Sequence, residues 1–243
     1  MRILYNIGIS VYNAIAYLIS PFNSKARLWI NGRKRWADMI IQKIKPGEKY
    51  VWMHCASLGE FEQGRPVMEE IRHRYPQFKI QQTFFSPSGY EIRKNYNGAD
   101  YVFYLPLDTK NNARRFIALV KPAMAIFIKY EFWYHYLDQL HINQIPVYLI
   151  SGIFRPGQVF FRWYGKWFHK MPGYFEHLFV QNKESLDLLH DISVTNVTLA
   201  GDTRFDRVQQ IAAATREIPI AARFKGDNVC VVAGSTWPGD ESL

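Results

Sequence analysis

Cysteine is scarce: 243 residues carry two, Cys55 and Cys230, far apart and with no C-x-x-C. That spacing supports neither a zinc site nor a disulfide framework, and both thiols are expected to be buried and structural in a reducing compartment. The chain has no G-x-x-x-x-G-K-[ST] phosphate loop and no G-x-G-x-x-G dinucleotide turn. H-E-x-x-H and G-x-S-x-G are missing as well, which removes the zinc-protease and serine-hydrolase readings. No helix-turn-helix or zinc-finger signature accompanies the positive charge, so nucleic acid is not an expected partner. Internal repeats and low-complexity tracts are absent, and no A-x-A-like site follows the first apolar run, which argues against a cleaved signal peptide.

What is present is a globular composition, 48% hydrophobic and 16% aromatic, sufficient for one large domain or two small ones. Lys and Arg outnumber Asp and Glu by 30 to 21, a net charge of +9 that favours an anionic partner such as a membrane surface or a phosphorylated substrate. The stretch from Ile3 to Ile19 is apolar but carries Asn6, Ser10 and Asn13 on one helical stripe. It stands at the lower edge of a membrane-spanning length and is followed by Lys25, Arg27, Arg33, Lys34 and Arg35, which would place everything downstream on the cytoplasmic side. An amphipathic helix resting on the domain is the alternative.

From Lys49 onward, short β-rich runs alternate with helical patterns. Strands are expected at Tyr50–His54, Lys79–Phe85, Tyr101–Leu105, Met124–Ile128, Val147–Ile150, Leu178–Val180, Val197–Leu199 and Val229–Ala233. Helices such as Thr109–Val120 and Glu184–His190 lie between them. The alternation predicts an α/β fold, a doubly wound parallel sheet with helices on both faces. The expected organisation is a helix and basic connector over 1–45, a Rossmann-like domain over 46–222, and the opening strand of a second domain over 223–243 that continues past the last residue.

Polar or glycine-bearing turns follow the strands: "ASLGEF", "SPSGYE", "PLD", "KYEFW", "SGIFRP", "QNKES", "GDTRFD" and "AGSTWPGDES". In a parallel sheet all of them lie at the carboxyl edge, where open α/β sheets bind ligands. In "MHCASLGEFEQG" the first strand ends in a small turn that sets Glu60 at the mouth of a helix whose apolar positions are Phe61, Met68, Ile71 and Tyr75. Glu60 is there either a catalyst or an acid resting against the helix's positive end.

Taken in order, "SLGE", "SPSG", "PLD", "EFW", "VQN", "GDTRFD" and "GSTWPGDE", with the upstream "GRKRW", resemble the 3-deoxy-D-manno-octulosonic acid (Kdo) transferases of lipid A assembly. The resemblance runs from the N-terminal helix to Leu243. It implies the GT-B architecture, two Rossmann-like domains across a cleft, with this chain the acceptor domain and the start of the donor domain. The implied reaction is inverting, uses CMP-Kdo as donor and needs no protein-bound metal or other cofactor. A hydroxyl of the lipid A precursor attacks, CMP leaves, and the fragment alone is expected to be inactive. The implied location is the cytoplasmic face of the bacterial inner membrane.

The resemblance implies a role for each matching residue. Glu60 takes the general-base position, with Gly59 beside it allowing close approach. Glu131 matches the second acid of an E-x-E-x-W turn and Trp133 its tryptophan. Lys129 and Tyr130 depart from that pattern, which makes Lys129 a candidate ion partner of Glu131. Ser57, Gly59, Ser86, Ser88 and Arg204 fall on the acceptor side, with Arg204 standing where the family has Lys. Ser235 and Thr236 fall on the donor side, next to Trp237 in place of the usual His. The rival readings are another GT-B transferase with a different lipid acceptor, and a non-catalytic membrane- or lipid-binding module.

Overall fold

The computed structural model describes residues 1–45, 47–214 and 217–240. Three helices come first: α1 (Arg2–Ile19), α2 (Ser24–Asn31) and α3 (Trp36–Lys43). Strands and helices then alternate as β1 (Lys49–Cys55), α4 (Leu58–Arg74), β2 (Phe78–Phe84), α5 (Pro87–Arg93), β3 (Tyr101–Tyr104), α6 (Lys110–Val120), β4 (Met124–Ile128), α7 (Tyr134–Ile142) and β5 (Val147–Gly152). A run of single-turn 3-10 segments between 159 and 174 leads to β6 (His177–Val180), α8 (Lys183–Asp191), β7 (Val197–Leu199), α9 (Arg204–Ala213) and α10 (Pro219–Lys225). The sheet has seven strands, all parallel, in the order β3-β2-β1-β4-β5-β6-β7. The order reverses between β1 and β4, and their carboxyl ends flank the crevice where such folds take ligands.

The sheet is buried on both faces, so most of its strands read as apolar runs instead of alternating; β2 is the exception, with Gln81, Gln82 and Thr83 buried at its centre. One face of β1, β2 and β4 carries Val51, Met53, Cys55, Ile80, Phe84, Ile126 and Ile128, packed with Phe61 and Met68 of α4. The opposite face carries Trp52 and Phe127 against Phe116, Ile117 and Val120 of α6 and Tyr136, Leu137 and Leu140 of α7. Gly64 lets α4 settle onto the first face: a Cβ there would meet Ile128 Cγ1 at 3.0 Å.

Seven of the eight expected strands form, each within a residue or two of its expected bounds. Residues 229–233 take no regular structure. A strand is stable only when its backbone groups are paired with a neighbour, and no other described segment pairs with this one. Two compact units divide the chain, Met1–Arg207 and Val208–Leu243. Cys55 is buried as expected, whereas Cys230, in the second unit, is exposed.

The N-terminal helix forms, but among the described residues no helix is long and apolar enough to cross a membrane. The stripe of α1 turned to the domain is Tyr5, Ile9, Asn13 and Ala16. Ala16 and Ile9 pack with Trp29, Ile30 and Leu107. Ile3, Leu4, Ile7, Val11, Ile15 and Leu18 stay exposed on the other side. Arg33, expected in the basic run, turns inward instead. Its guanidinium donates to the carbonyls of Leu105, Trp29 and Phe85 and stacks on the rings of Trp29 and Phe85. Burial pushes it down to about 9, with no carboxylate beside it among the described residues.

Candidate active site

The carboxyl ends of β1 and β4 bring two acids to the switch point. β1 pairs in register with β2 and β4, so His54 lies opposite Thr83 on one side and Phe127 on the other. Side chains two residues apart share a face, which puts Trp52 and His54 on the α6–α7 side of the sheet. His54 is fully buried, its Nδ1 2.9 Å from Thr83 Oγ1 and its Nε2 3.0 Å from Glu131 Oε2. Trp52 Nε1 donates to the same Thr83 hydroxyl at 2.8 Å.

Glu131 sits in the turn between β4 and α7 and is 6% exposed. The turn is sharp: Lys129 takes φ of 70°, a left-handed conformation that a non-glycine residue adopts at a cost of roughly 1–3 kcal/mol. Its backbone N–H is tied to the Ile150 carbonyl at 3.0 Å. Glu131 Oε2 accepts the Trp133 indole N–H at 2.5 Å as well as facing His54. No ion pair between the candidate partner Lys129 and Glu131 forms among the described residues. Lys129 Nζ lies 5.1 Å from the centre of the Tyr130 ring, and the buried histidine and tryptophan take the role expected of it.

Glu60 reaches the same edge from the other face. Ser57 caps α4, and Glu60, three residues on, turns back so that its Oε2 accepts the Ser57 N–H at 2.9 Å and the Ser57 hydroxyl. Capping geometry of this kind satisfies backbone donors that a helix start leaves open. Glu60 therefore does what a helix-mouth acid does structurally, and its other oxygen has no hydrogen bond within the described residues. Both acids act on one buried thiol: burial pushes Cys55 well above its ordinary value, and the charges of Glu131 and Glu60 add to the rise.

The other expected acceptor residues gather on neighbouring turns. Ser86 caps α5, accepting the Ser88 N–H at 3.2 Å, with the two hydroxyls 2.9 Å apart. The Ser86 N–H reaches the Ala56 carbonyl at 2.7 Å, tying this turn to the one that carries Ser57 and the exposed Gly59. Phe85 stacks on Trp133 with ring centres 4.7 Å apart, so the β2 and β4 turns touch. Arg204 is paired with Asp202, its Nε donating at 2.7 Å, and Asp202 in turn accepts from Gln63 Nε2 of α4 at 3.0 Å. Thr203 closes this corner by donating to the Gln63 carbonyl at 2.6 Å and meeting Ser151 Oγ at 2.7 Å. Gly201, at φ 79°, makes the preceding bend possible. Ser235 and Thr236 lie in exposed, irregular chain of the second unit.

One participant escaped the sequence reading, and one residue expected at the edge is buried instead. His54 stood at the end of an apolar run, and the available signal was a titratable residue at the carboxyl end of a central strand. Asp108 of "PLD", expected at the ligand edge, is 1% exposed and accepts the His135 and Tyr136 backbone N–H groups, both at 3.1 Å, at the start of α7. Tyr5 of α1 donates its hydroxyl to the same acid at 2.5 Å. Burial pushes Asp108 up to about 6 against the pull of those hydrogen bonds.

Residues 32–207 match the family model described as 3-deoxy-D-manno-octulosonic-acid transferase (kdotransferase). Proteins named 3-deoxy-D-manno-octulosonic acid transferase are 31% identical over 108 residues in Haemophilus influenzae, 44% of this chain and 25% of that one. In Aquifex aeolicus the identity is 33% over 93 residues, 38% of this chain and 26% of the relative. In Rickettsia felis it is 23% over 197 residues, 79% of this chain and 42% of the relative. The matched segments thus span less than half of each of these relatives. Among solved structures, the UDP-GlcNAc 2-epimerase of Neisseria meningitidis bound to UDP-GlcNAc superposes with a TM-score of 0.51 at 14% identity, over 73% of this chain and 53% of that one. The UDP-GlcNAc 2-epimerase of Methanocaldococcus jannaschii does so at 0.51 and 11%, over 74% and 53%. At these identities the likeness is one of fold.

Proposed function

Because the chain belongs to the 3-deoxy-D-manno-octulosonic acid (Kdo) transferase family, we propose that it forms the acceptor-binding half of an inverting glycosyltransferase that moves Kdo from CMP-Kdo to a hydroxyl of a lipid A precursor. The observation that carries this reading is the arrival of two carboxylates, Glu60 and Glu131, at the switch point of the sheet. A sugar hydroxyl is a poor nucleophile until its proton is removed, and Glu60 is the group assigned to remove it. The hydroxyl oxygen bonds to the anomeric carbon of Kdo, the bond to CMP breaks with its electrons leaving on the phosphate, and the proton passes to Glu60. Such a base contributes on the order of 10²–10⁴-fold. Its hold on the Ser57 N–H is compatible with that role, since only one of its two oxygens is engaged there.

Ser57, Gly59, Ser86 and Ser88 place two helix N-termini beside the acids, which suits the phosphates of an anionic acceptor. Arg204, held by Asp202 on a neighbouring turn, is assigned to the acceptor, and Ser235 and Thr236 are assigned to the donor. The exposed apolar side of α1 and the cations Lys25, Arg27, Lys34 and Arg35 suit a membrane surface, at the cytoplasmic face of the inner membrane.

The test is a transfer assay on the full-length protein with CMP-Kdo and the bisphosphorylated lipid A precursor. The expected result is a Kdo-bearing lipid and stoichiometric CMP. Consumption of a UDP-sugar instead would move the reading to another lipid glycosyltransferase, and lipid binding without transfer would make it a binding module. Residues 1–243 alone are proposed to bind acceptor without transferring, since they match under half of their relatives.

A further inference from the structure

The buried network beneath Glu131 has a direction. Trp133 has a single N–H, 2.5 Å from Glu131 Oε2 and 3.2 Å from His54 Nε2; the shorter, charge-assisted contact takes it, so the 3.0 Å contact between Glu131 Oε2 and His54 Nε2 needs one further proton, on the ring or on the carboxyl. Thr83 decides between these. Its Oγ1 accepts the Trp52 N–H at 2.8 Å and has a single proton to give. Two acceptors compete for that proton, His54 Nδ1 at 2.9 Å and the Met53 carbonyl at 3.4 Å. The first distance is that of a good hydrogen bond and the second lies beyond the usual O–H···O range, so it is the weaker claim on the proton. With Nδ1 accepting, a neutral imidazole carries its own proton on Nε2, aimed at the carboxylate. Donation then runs one way, from Trp52 to Thr83, from Thr83 to His54 and from His54 to Glu131.

We propose that His54 is the positioning residue for Glu131. Thr83 fixes it as the Nε2–H form, and it pins one carboxylate oxygen while the other is kept for a hydrogen-bond donor on the ligand, a sugar hydroxyl being the expected class. The second oxygen has no hydrogen bond within the described residues. His54 itself is sealed from solvent beneath the edge, with Phe127 packed edge-on against its ring at 5.6 Å, so it touches no ligand. Its effect passes wholly through Glu131.

The assignment of Glu131 to a transfer site rests on the proposed function, whereas the proton's place on His54 does not. Long-range nitrogen–proton spectra of the histidine-labelled protein near neutral pH read that place directly. The expected pattern for His54 is a protonated Nε2 and a bare Nδ1, becoming a mixture of forms in Thr83→Val. A bare Nε2, or a pattern that Thr83→Val leaves unchanged, overturns the proposal. The second arm is kinetic, on full-length protein. His54→Leu is expected to lower kcat by about 10- to 100-fold with little change in KM, as misplacement of a reacting group does. His54→Gln, whose amide N–H can replace Nε2–H, is expected to recover most of that loss. Equal loss in the two folded variants, or none in His54→Leu, defeats the proposal. If wild-type protein transfers nothing while the spectra show the expected pattern, the transferase reading fails and the proton assignment stands.

Discussion

Glu60 and Glu131 reach the same sheet edge from opposite faces and are held in opposite ways. Glu60 is half-exposed and bonded only to its own helix start, three residues back in sequence. Glu131 is buried and bonded to His54, 77 residues earlier, and to Trp133. A locally held acid can swing to meet a ligand while its fold survives. A buried acid held by tertiary partners has a fixed place and can be lost only with some of the packing. The same division separates a proton-accepting group, which must move protons, from one that orients.

The largest effect expected of breaking this pair is kinetic. Glu60→Gln in the full-length protein should lower kcat by about 10²–10⁴-fold while changing stability by less than ~1 kcal/mol, because a glutamine oxygen can still accept the Ser57 N–H. Glu131→Gln should lose rate and also about 1–3 kcal/mol of stability, since a neutral amide oxygen in the place of Oε2 is a weaker acceptor for the two buried N–H groups than a carboxylate. Steady-state kinetics beside urea unfolding checks both. If the two variants lose rate and stability in the same proportion, the division between a mobile and a fixed acid is wrong.

How much of this was legible follows from the same contrast. Glu60 could be read because everything that holds it is local: a strand end, a small turn, a capping serine three residues before it. The sheet could be read because near-continuous apolar runs alternating with helical spacing admit few other arrangements. His54 could not be read as Glu131's partner, because only the pairing of β1 with β4 brings residue 54 beside residue 131. Lys129 was the local candidate, and the left-handed turn at that residue sends its ammonium to Tyr130 instead. Arg33 and Asp108 misled for a related reason. Each is polar in a polar-looking stretch, and each is buried by a helix, α2 or α1, whose docking no local pattern announces.

Asp108 supplies a third acid against which to sharpen the comparison, and a smaller effect. Folded Asp108 keeps its proton up to about pH 6, while the unfolded carboxyl loses it near ~4. Between those values the unfolded chain has shed a proton that the folded chain still holds. This group therefore makes stability fall as pH rises through that window, by about 3 kcal/mol at most, and changes nothing further above it. Denaturant unfolding of wild type and Asp108→Asn at several pH values should show the wild type's advantage shrinking from pH ~4 to ~6 and level thereafter. Parallel curves would mean that the Tyr5, His135 and Tyr136 donors offset the burial, so that the folded Asp108 carboxyl loses its proton where the unfolded one does.

The smallest effect isolates the local clamp. Ser57→Ala removes the hydroxyl that meets Glu60 and leaves the Ser57 backbone N–H in place. Loss of a capping serine should cost about 0.5–2 kcal/mol, visible as a lower urea midpoint at unchanged slope. The rate should fall far less than in Glu60→Gln, because the carboxylate keeps its charge and one of its two anchors. A rate loss as deep as that of Glu60→Gln would show that the hydroxyl, and not helix capping alone, sets where the proposed base points. Glu60 would then be a positioned group like Glu131, and the two acids would differ in the reach of their partners instead of in kind.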